Sequence, residues 1–270
     1  MAINDITLTA GMRNTLNSLQ QTASLFDRTQ TRLASGKKVN SALDDPISFF
    51  AAKGYMDRAS DLSSLKDSMS EAIQVIKTAD NGVTAISNLV SQAKSLANSA
   101  NASTSTSVRS DLQLQYSDIL TQIDTLAADA SYKGTNLLDS GSLEVKFNED
   151  GTSSLTITGF DATTDGDLSL SAADFSDTTA INTALSELGA AVTTMRSKSQ
   201  TLSSSLGIIQ TRQEFTTNMV NTLTKGAENL TLADMNEEGA NLLMLQTRQA
   251  LSSTSLSLAS QAAQSVLRLF

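Results

Sequence analysis

The side chains that most often carry enzymatic chemistry are missing from this sequence. Its 270 residues contain no histidine and no cysteine. That removes the commonest general base, the usual zinc ligands and the thiol nucleophile. Serine and threonine are abundant, but a catalytic serine needs a base within reach, and no motif places a lysine beside one. Two carboxylate pairs remain, Asp44-Asp45 and Glu237-Glu238. Both read as helix capping or solvated charge rather than as an acid–base couple. The stretch from Asp161 to Asp167 faintly resembles a calcium loop, yet its twelfth position is Ala172, where a bidentate glutamate is required. It reads as a turn-rich tip. No glycine-rich loop could cradle a phosphate. The residues specify no catalysis, no metal and no cofactor, and the work left to them is packing.

The composition says what kind of packing. Aromatic residues make up 4% of the chain and tryptophan is absent, so few large side chains are available for a thick globular core. Alanine, leucine, serine, threonine, asparagine and glutamine dominate, which suits thin helical layers. The formal charge of −9 argues against a nucleic-acid partner, because phosphate binding needs a basic patch. The opening Met1-Ala2-Ile3-Asn4-Asp5 lacks the basic and apolar regions of a signal peptide. No apolar run of about 18 residues is present, so no membrane insertion is expected.

Two long seams must position whatever the chain does. The first is Leu62, Leu65, Met69, Ala72, Ile76, Ala79, Val83, Ile86, Val90, Ala93, Ala97, an unbroken alternation of steps of three and four. That spacing presents one stripe of a helix to another helix. The second runs Ile181, Leu185, Leu188, Val192, Met195, Ser199, Leu202, Leu206, Ile209, Gln213, Thr216, Val220, Leu223. It holds register through three polar positions, Ser199, Gln213 and Thr216. Long helices pairing across the sequence suggest a rod.

Taken in order, Met12, Leu16, Leu19, Ala23, Phe26, Gln30 and Leu33 predict a first helix from near Asn4 or Asp5 to before Gly36. Val39 to Leu43 reads as an extended connector that includes Asn40, and Asp44 follows it at the helix start. Asp45 can then cap exposed amides, with Pro46 at the first helical position. The helix begun there reaches Leu96, on the order of 80 Å at about 1.5 Å per residue. Asn98 to Ser105 reads as a loop. Val108, Leu112, Tyr116, Ile119, Ile123, Leu126 and Ala130 predict a third helix, antiparallel to the second. The period then drops to two over 143–147 and 154–158, with Gly151 between, which predicts a β-hairpin at about 143–158. Residues 159–178 offer little to pack and read as a short exposed excursion. Residues 225–238 are polar and mixed, with Gly226 and Gly239 as expected weak points. A last seam follows: Leu242, Leu245, Gln249, Ser252, Leu256, Ala259, Ala263, Val266, Phe270. Leu251, Leu258, Ala262 and Leu269 add apolar surface on other faces. The first helix can cover one face of this last one, and other copies of the chain could cover the rest. The fold class expected is mainly α: a long antiparallel helical bundle or coiled coil, one small β-hairpin, and paired N- and C-terminal helices.

Three stretches carry a resemblance. Arg32-Leu33-Ala34-Ser35-Gly36-Lys37-Lys38-Val39-Asn40-Ser41-Ala42-Leu43-Asp44-Asp45-Pro46 resembles the N-terminal motif of bacterial flagellins. Tyr132-Lys133-Gly134-Thr135-Asn136-Leu137-Leu138-Asp139 is similar to the turn after that family's second outer helix. Leu251 to Phe270 resembles its C-terminal helix. Pro46 stands where many members have alanine, a change compatible with a helix start.

The resemblance implies a mechanical function: a self-assembling subunit of the flagellar filament, lacking large outer surface domains. It implies an inner domain of residues 1–40 and 231–270 that lines the filament channel, with self-assembly through Leu16, Leu19, Ala23, Phe26, Leu33, Leu245, Leu256, Ala259, Ala263, Val266 and Phe270. An outer domain of residues 41–230 would carry Leu62, Leu65, Met69, Ile76, Val83, Ile86 and Val90 against Leu188, Val192, Leu202, Ile209 and Val220. The partners implied are further copies of the chain, with or without sister flagellins, a type III export apparatus and a chaperone at the C-terminal segment. Filament cap and hook-junction proteins complete the set. The location implied is the extracellular filament, reached without a cleaved signal peptide. The alternative is a hook–filament junction protein, which shares the terminal motifs.

Overall fold

Asp45 begins the longest helix. Its Oδ1 accepts the backbone N–H of Ile47 at 3.1 Å and of Ser48 at 3.2 Å, and its Oδ2 accepts the Ser48 hydroxyl at 2.7 Å. These bonds satisfy first-turn amides that lack an intrahelical acceptor, and Pro46 follows with no N–H to satisfy. From this cap α2 runs Pro46–Ala102, in a computed structural model that describes residues 10–267. The remaining elements are α1 (Ala10–Ser35), α3 (Thr106–Asp129), β1 (Ser131–Tyr132), β2 (Thr135–Asn136), β3 (Ser142–Lys146), β4 (Ser154–Thr158), α4 (Thr178–Thr231) and α5 (Met235–Leu267). The chain is mainly helical, with the small β3–β4 hairpin that the periodicities predict and, before it, a two-residue antiparallel pair of β1 with β2. The expected start of α1 near Asn4 lies outside the described residues.

The chain divides into two compact units. One comprises Arg58–Thr222 and holds the main core. There the first seam is buried without interruption: no position of it from Met69 to Ala97 is more than 4% exposed. Leu62 is buried and Leu65 half-buried. Ile181, Leu188, Met195, Leu202 and Ile209 of α4 belong to the same core, with Leu185, Val192 and Leu206 packed at its margin. Polar pairs set the direction: Gln213 donates to Ser70 at 2.6 Å and Ser199 to Asp80 at 2.8 Å. Rising numbers on α2 meet falling numbers on α4, so the two run antiparallel. Two of the three polar seam positions therefore have a partner across the interface. Each fully buried Leu, Ile, Val or Met contributes about 1.5–3 kcal/mol. A surface ion pair such as Lys198–Asp167 contributes about 0–1 kcal/mol. The seam dominates.

α2 extends beyond its predicted end. Residues 98–102 are helical rather than loop, because Ala97 and Ala100 continue the seam, both fully buried. Arg109 of α3 donates from Nε to the carbonyls of Ala100 at 3.0 Å and Ser103 at 2.8 Å, taking up acceptors that a helix end leaves free. On α3 the core-facing residues are Tyr116, Leu120, Ile123 and Ala127. Leu112, Ile119 and Leu126 flank them, and Val108 is exposed. In the hairpin Leu143 pairs with Ile157 and Val145 with Leu155, so one face carries all four apolar side chains. Arg58 bonds Glu149 at 2.7 Å and Arg212 lies over the Phe147 ring at 5.2 Å, tying the hairpin to both long helices.

The segment 159–178 is not an exposed excursion. Phe160, Ala162, Leu168, Leu170 and Phe175 are all buried in the main core. They follow no period, which hides them among the surrounding polar residues. Side chains of the neighbouring helices satisfy the irregular backbone. Asp124 accepts Thr164 N–H at 2.7 Å, Glu187 accepts Ser171 N–H at 2.9 Å, and Gln113 accepts Phe175 N–H at 3.1 Å. Phe175 packs on Tyr116 with ring centroids 5.1 Å apart. Burial, and then the Glu187 charge, push the Tyr116 hydroxyl up to about 12. Asp161 is committed to Thr163, and Asp167 to Lys198 at 3.0 Å. Among the described residues no group of three or more ligating side chains could hold a metal.

Two predictions follow from this core. Phe175→Ala should destabilise the Arg58–Thr222 unit by about 3–5 kcal/mol in urea unfolding, where an exposed loop would tolerate the change. Gly82 of α2 leaves room for the turn after α3, since an added Cβ would come within 2.6 Å of Leu138 Cδ1 and 3.1 Å of Ala130 Cβ. Leu138 is fully buried and cannot swing away. Gly82→Ala should therefore destabilise, whereas Gly189→Ala, with open space around it in α4, should stabilise by about 0.5–1 kcal/mol.

Candidate functional site

The second unit joins the chain up to Asp57 with the chain from Leu223 onward. Its architecture is set where α1 stops and α5 starts. Gly36, at φ +71°, ends α1 in the left-handed conformation and donates its N–H to the Arg32 carbonyl at 2.8 Å. The chain then pairs with the α4–α5 connector. Lys37 bridges Leu232, Lys38 N–H donates to the Thr231 carbonyl at 2.7 Å, and Ala233 N–H donates to Gly36 at 3.0 Å. Asp234 caps α5, accepting Asn236 N–H at 2.9 Å. Gly226 and Gly239, the expected weak points, both lie inside helices, and the chain breaks between them at the capped junction 232–234.

Arg32 in the last turn of α1 bonds Glu238 in the first turn of α5 at 2.9 Å, so the terminal helices run antiparallel side by side. Glu238 is 7% exposed, not a solvated charge as its sequence suggests. A carboxylate this buried is held by its partner, and loss of Arg32 would strand it. The Arg32 Nε is itself buried without a partner, so the pair fixes alignment more than it adds stability.

The connector into α2 is a turn rather than an extended strand beyond Asn40. Asp44 N–H donates to the Ser41 carbonyl at 3.1 Å, and Asp44 Oδ2 accepts the N–H groups of Asn40 and Ser41, each at 3.0 Å. Those amides hold the Asp44 carboxyl below the usual carboxylate range, and Ser48 does the same for Asp45. Asn40 also donates from its side chain to the Lys37 carbonyl at 3.0 Å.

The seam residues of the terminal helices are partly covered. Leu16, Leu19, Ala23, Phe26 and Leu33 are half-buried on α1, beside buried Met12, Thr22 and Thr29. Leu245 is buried, and Leu256 and Ala259 are half-buried on α5. The side chains of Ala263 and Val266, and Phe270 as a whole, lie outside the described residues. α5 keeps large apolar surface in solvent: Leu243, Met244, Leu251 and Leu258 are each between 59% and 65% exposed. A second apolar surface, missed in the sequence, is formed by Leu43, Ile47 and Phe50, exposed by 97%, 83% and 63%. The Arg32–Glu238 pair was also missed, since its partners stand 206 residues apart and nothing local links them. Elsewhere α4 adds half-buried Val220 in the Arg58–Thr222 unit.

No described helix is long and apolar enough to cross a membrane. The described residues of this unit offer surfaces for helix packing, and no group of three or more ligating side chains occurs among them.

Comparison with known proteins supplies the context for these surfaces. Residues 6–142 match the family model described as the bacterial flagellin N-terminal helical region, and residues 185–270 match the bacterial flagellin C-terminal helical region. Flagellin FljM of Caulobacter vibrioides is 30% identical over 274 residues, covering the whole of both chains. Flagellin FljO of the same organism is 29% identical over 273 residues with the same coverage. A flagellin of Brucella melitensis is 27% identical over 94% of this chain and 95% of its own. A crystal structure of Bacillus cereus flagellin overlaps 55% of this chain and 88% of its own, with a TM-score of 0.49 and 19% identity. By both family models and by full-length similarity, this chain belongs to the bacterial flagellin family.

Proposed function

We infer that the chain is a structural subunit that self-assembles into the bacterial flagellar filament for swimming motility. The observation that carries this reading is the surplus apolar surface of α5. Its buried residue Leu245 faces its own chain, while Leu251 and Leu258, one heptad apart, are 64% and 62% exposed. A repeat of that spacing is what a further helix would cover. Similarity to flagellins over the whole chain favours the filament subunit over the hook–filament junction protein. The work is structural, not catalytic.

The finer assignments belong to the same reading. Residues 1–40 and 231–270 form the inner, channel-lining domain, and residues 41–230 the outer one. Leu16, Leu19, Phe26, Leu256 and Val266 then take part in contacts between copies. The terminal helices order on joining neighbours, because neither can cover its faces alone. Export through a type III apparatus brings the subunit to the extracellular filament, and a chaperone covers the C-terminal segment beforehand. A cap protein receives it at the growing end.

Deletion of residues 256–270 tests the assembly role. The shortened chain should fail to extend filament seeds, while the helices of the Arg58–Thr222 unit stay folded by far-ultraviolet circular dichroism and unfold cooperatively as in the parent. Filaments of parental length from that variant would overturn the assignment of assembly to α5.

A further inference from the structure

The first turns of α2 present two unlike surfaces. At about 3.6 residues per turn, Ile47 and Phe50 project on the side away from Ala52 and Met56. The Ile47–Phe50 side is a bare apolar knob, extended by Leu43 just before the helix, and these side chains are 63–97% exposed. A protein surface tolerates single exposed apolar residues, but three together mark a contact site. The other side is concave. Val39, Phe49, Ala52 and Ala227 line a groove of about 400 Å³, with Leu232 and Met56 at its lips, the latter two 46% and 50% exposed. That volume is within the range of sites that hold a small ligand, about 300–1,000 Å³. It can admit an aromatic side chain.

The charges beside the two surfaces are complementary. Asp44 and Asp45 flank the knob, turned into their own capping bonds; of the cations of their own chain that face them, Arg32 is bonded to Glu238 and Lys38 offsets part of the negative charge. Lys37 and Lys53 stand at the groove, with Glu228 as the one acidic neighbour. Knob and groove belong to the same compact unit, so every copy carries both.

Resting on the filament reading, we propose that the Ile47–Phe50 knob of one copy seats in the Val39–Ala52 groove of a second copy, making a joint between successive subunits. The contact is heterologous: different patches meet, so each joint leaves one free knob and one free groove. Such a contact propagates without closing and builds an open helical array. A symmetric dimer would instead put like surfaces together and stop. The aspartates approach the lysines as the knob enters, which steers the encounter and sets its direction. Phe49 in the groove wall touches Phe50 on the knob edge-on, with ring centroids 5.5 Å apart, so the two surfaces share one rigid support.

Ile47→Glu and Phe50→Glu change exposed side chains and should leave the helical signal of the full-length monomer unchanged. In growth from sheared parental seeds, each should raise the monomer concentration needed for elongation by about tenfold or more, as loss of an apolar anchor does. Equal growth of parent and variants would overturn the joint and leave the filament reading intact. Failure of the parent chain to extend seeds would overturn both. The absence of cysteine allows a second, direct measurement. Copies carrying Phe50→Cys, mixed with copies carrying Ala52→Cys and oxidised during growth, should form disulfide-linked dimers that neither variant forms alone. Linkage of Phe50→Cys copies to one another with equal yield would mean that knob meets knob, and would overturn the proposal.

Discussion

A helix can hide one apolar stripe against one neighbour, and any further stripe needs another partner. That constraint explains both units of this protein. In the Arg58–Thr222 unit the α2 seam is covered by α4, by α3 and by the irregular segment after the hairpin, so its central positions are closed to water. In the unit that contains the terminal helices, α5 has more apolar faces than α1 can cover. Each large side chain left out forgoes most of the roughly 1.5–3 kcal/mol that burial would contribute. Leu243, Met244, Leu251 and Leu258 therefore leave several kcal/mol of burial unrealised within the single chain.

Polar groups play a different part. Asp45 and Asp234 begin helices, and Asp124 and Glu187 hold the backbone of an irregular segment against the core. Each such bond contributes about 1.5–3 kcal/mol at most, less where water competes. Their greater effect is on geometry: they decide where a helix starts, where a chain turns and which apolar side chains are carried inward. Ser199–Asp80 and Gln213–Ser70 act similarly between α2 and α4, because a slipped register would leave these groups without partners. The polar interruptions of the second seam are thus part of its specification.

Much of this was legible in the residues, for a physical reason. Stepped apolar spacing over dozens of positions has one simple solution, and a capping aspartate before proline marks a helix start unambiguously. What remained hidden lacked a period or a local partner. Phe160, Leu168 and Phe175 sit among aspartates, threonines and glycines at irregular spacing, so only the fold brings them to the core. Residues 98–102 look like a loop by composition, yet Ala100 carries the seam on into the core and Arg109, from the next helix, takes up its carbonyl. Glu238 looks solvated until Arg32 meets it from the far end of the sequence. Gly226 looks like a weak point, yet α4 passes through it. The apolar seams of α1 and α5 could be read directly, while the exposed apolar group at Ile47 and Phe50 could not. Its residues look like ordinary helix positions until their exposure is known.

The central claim is that the terminal helices complete their packing only between copies. Hydrogen exchange of backbone amides, compared between full-length monomer and assembled filament, tests it most directly. The account predicts that amides of α1 and α5 exchange quickly in the monomer and become strongly protected in the filament. Amides of α2 and α4 between Met69 and Ile209 should be protected in both. Terminal helices equally protected before and after assembly would contradict it.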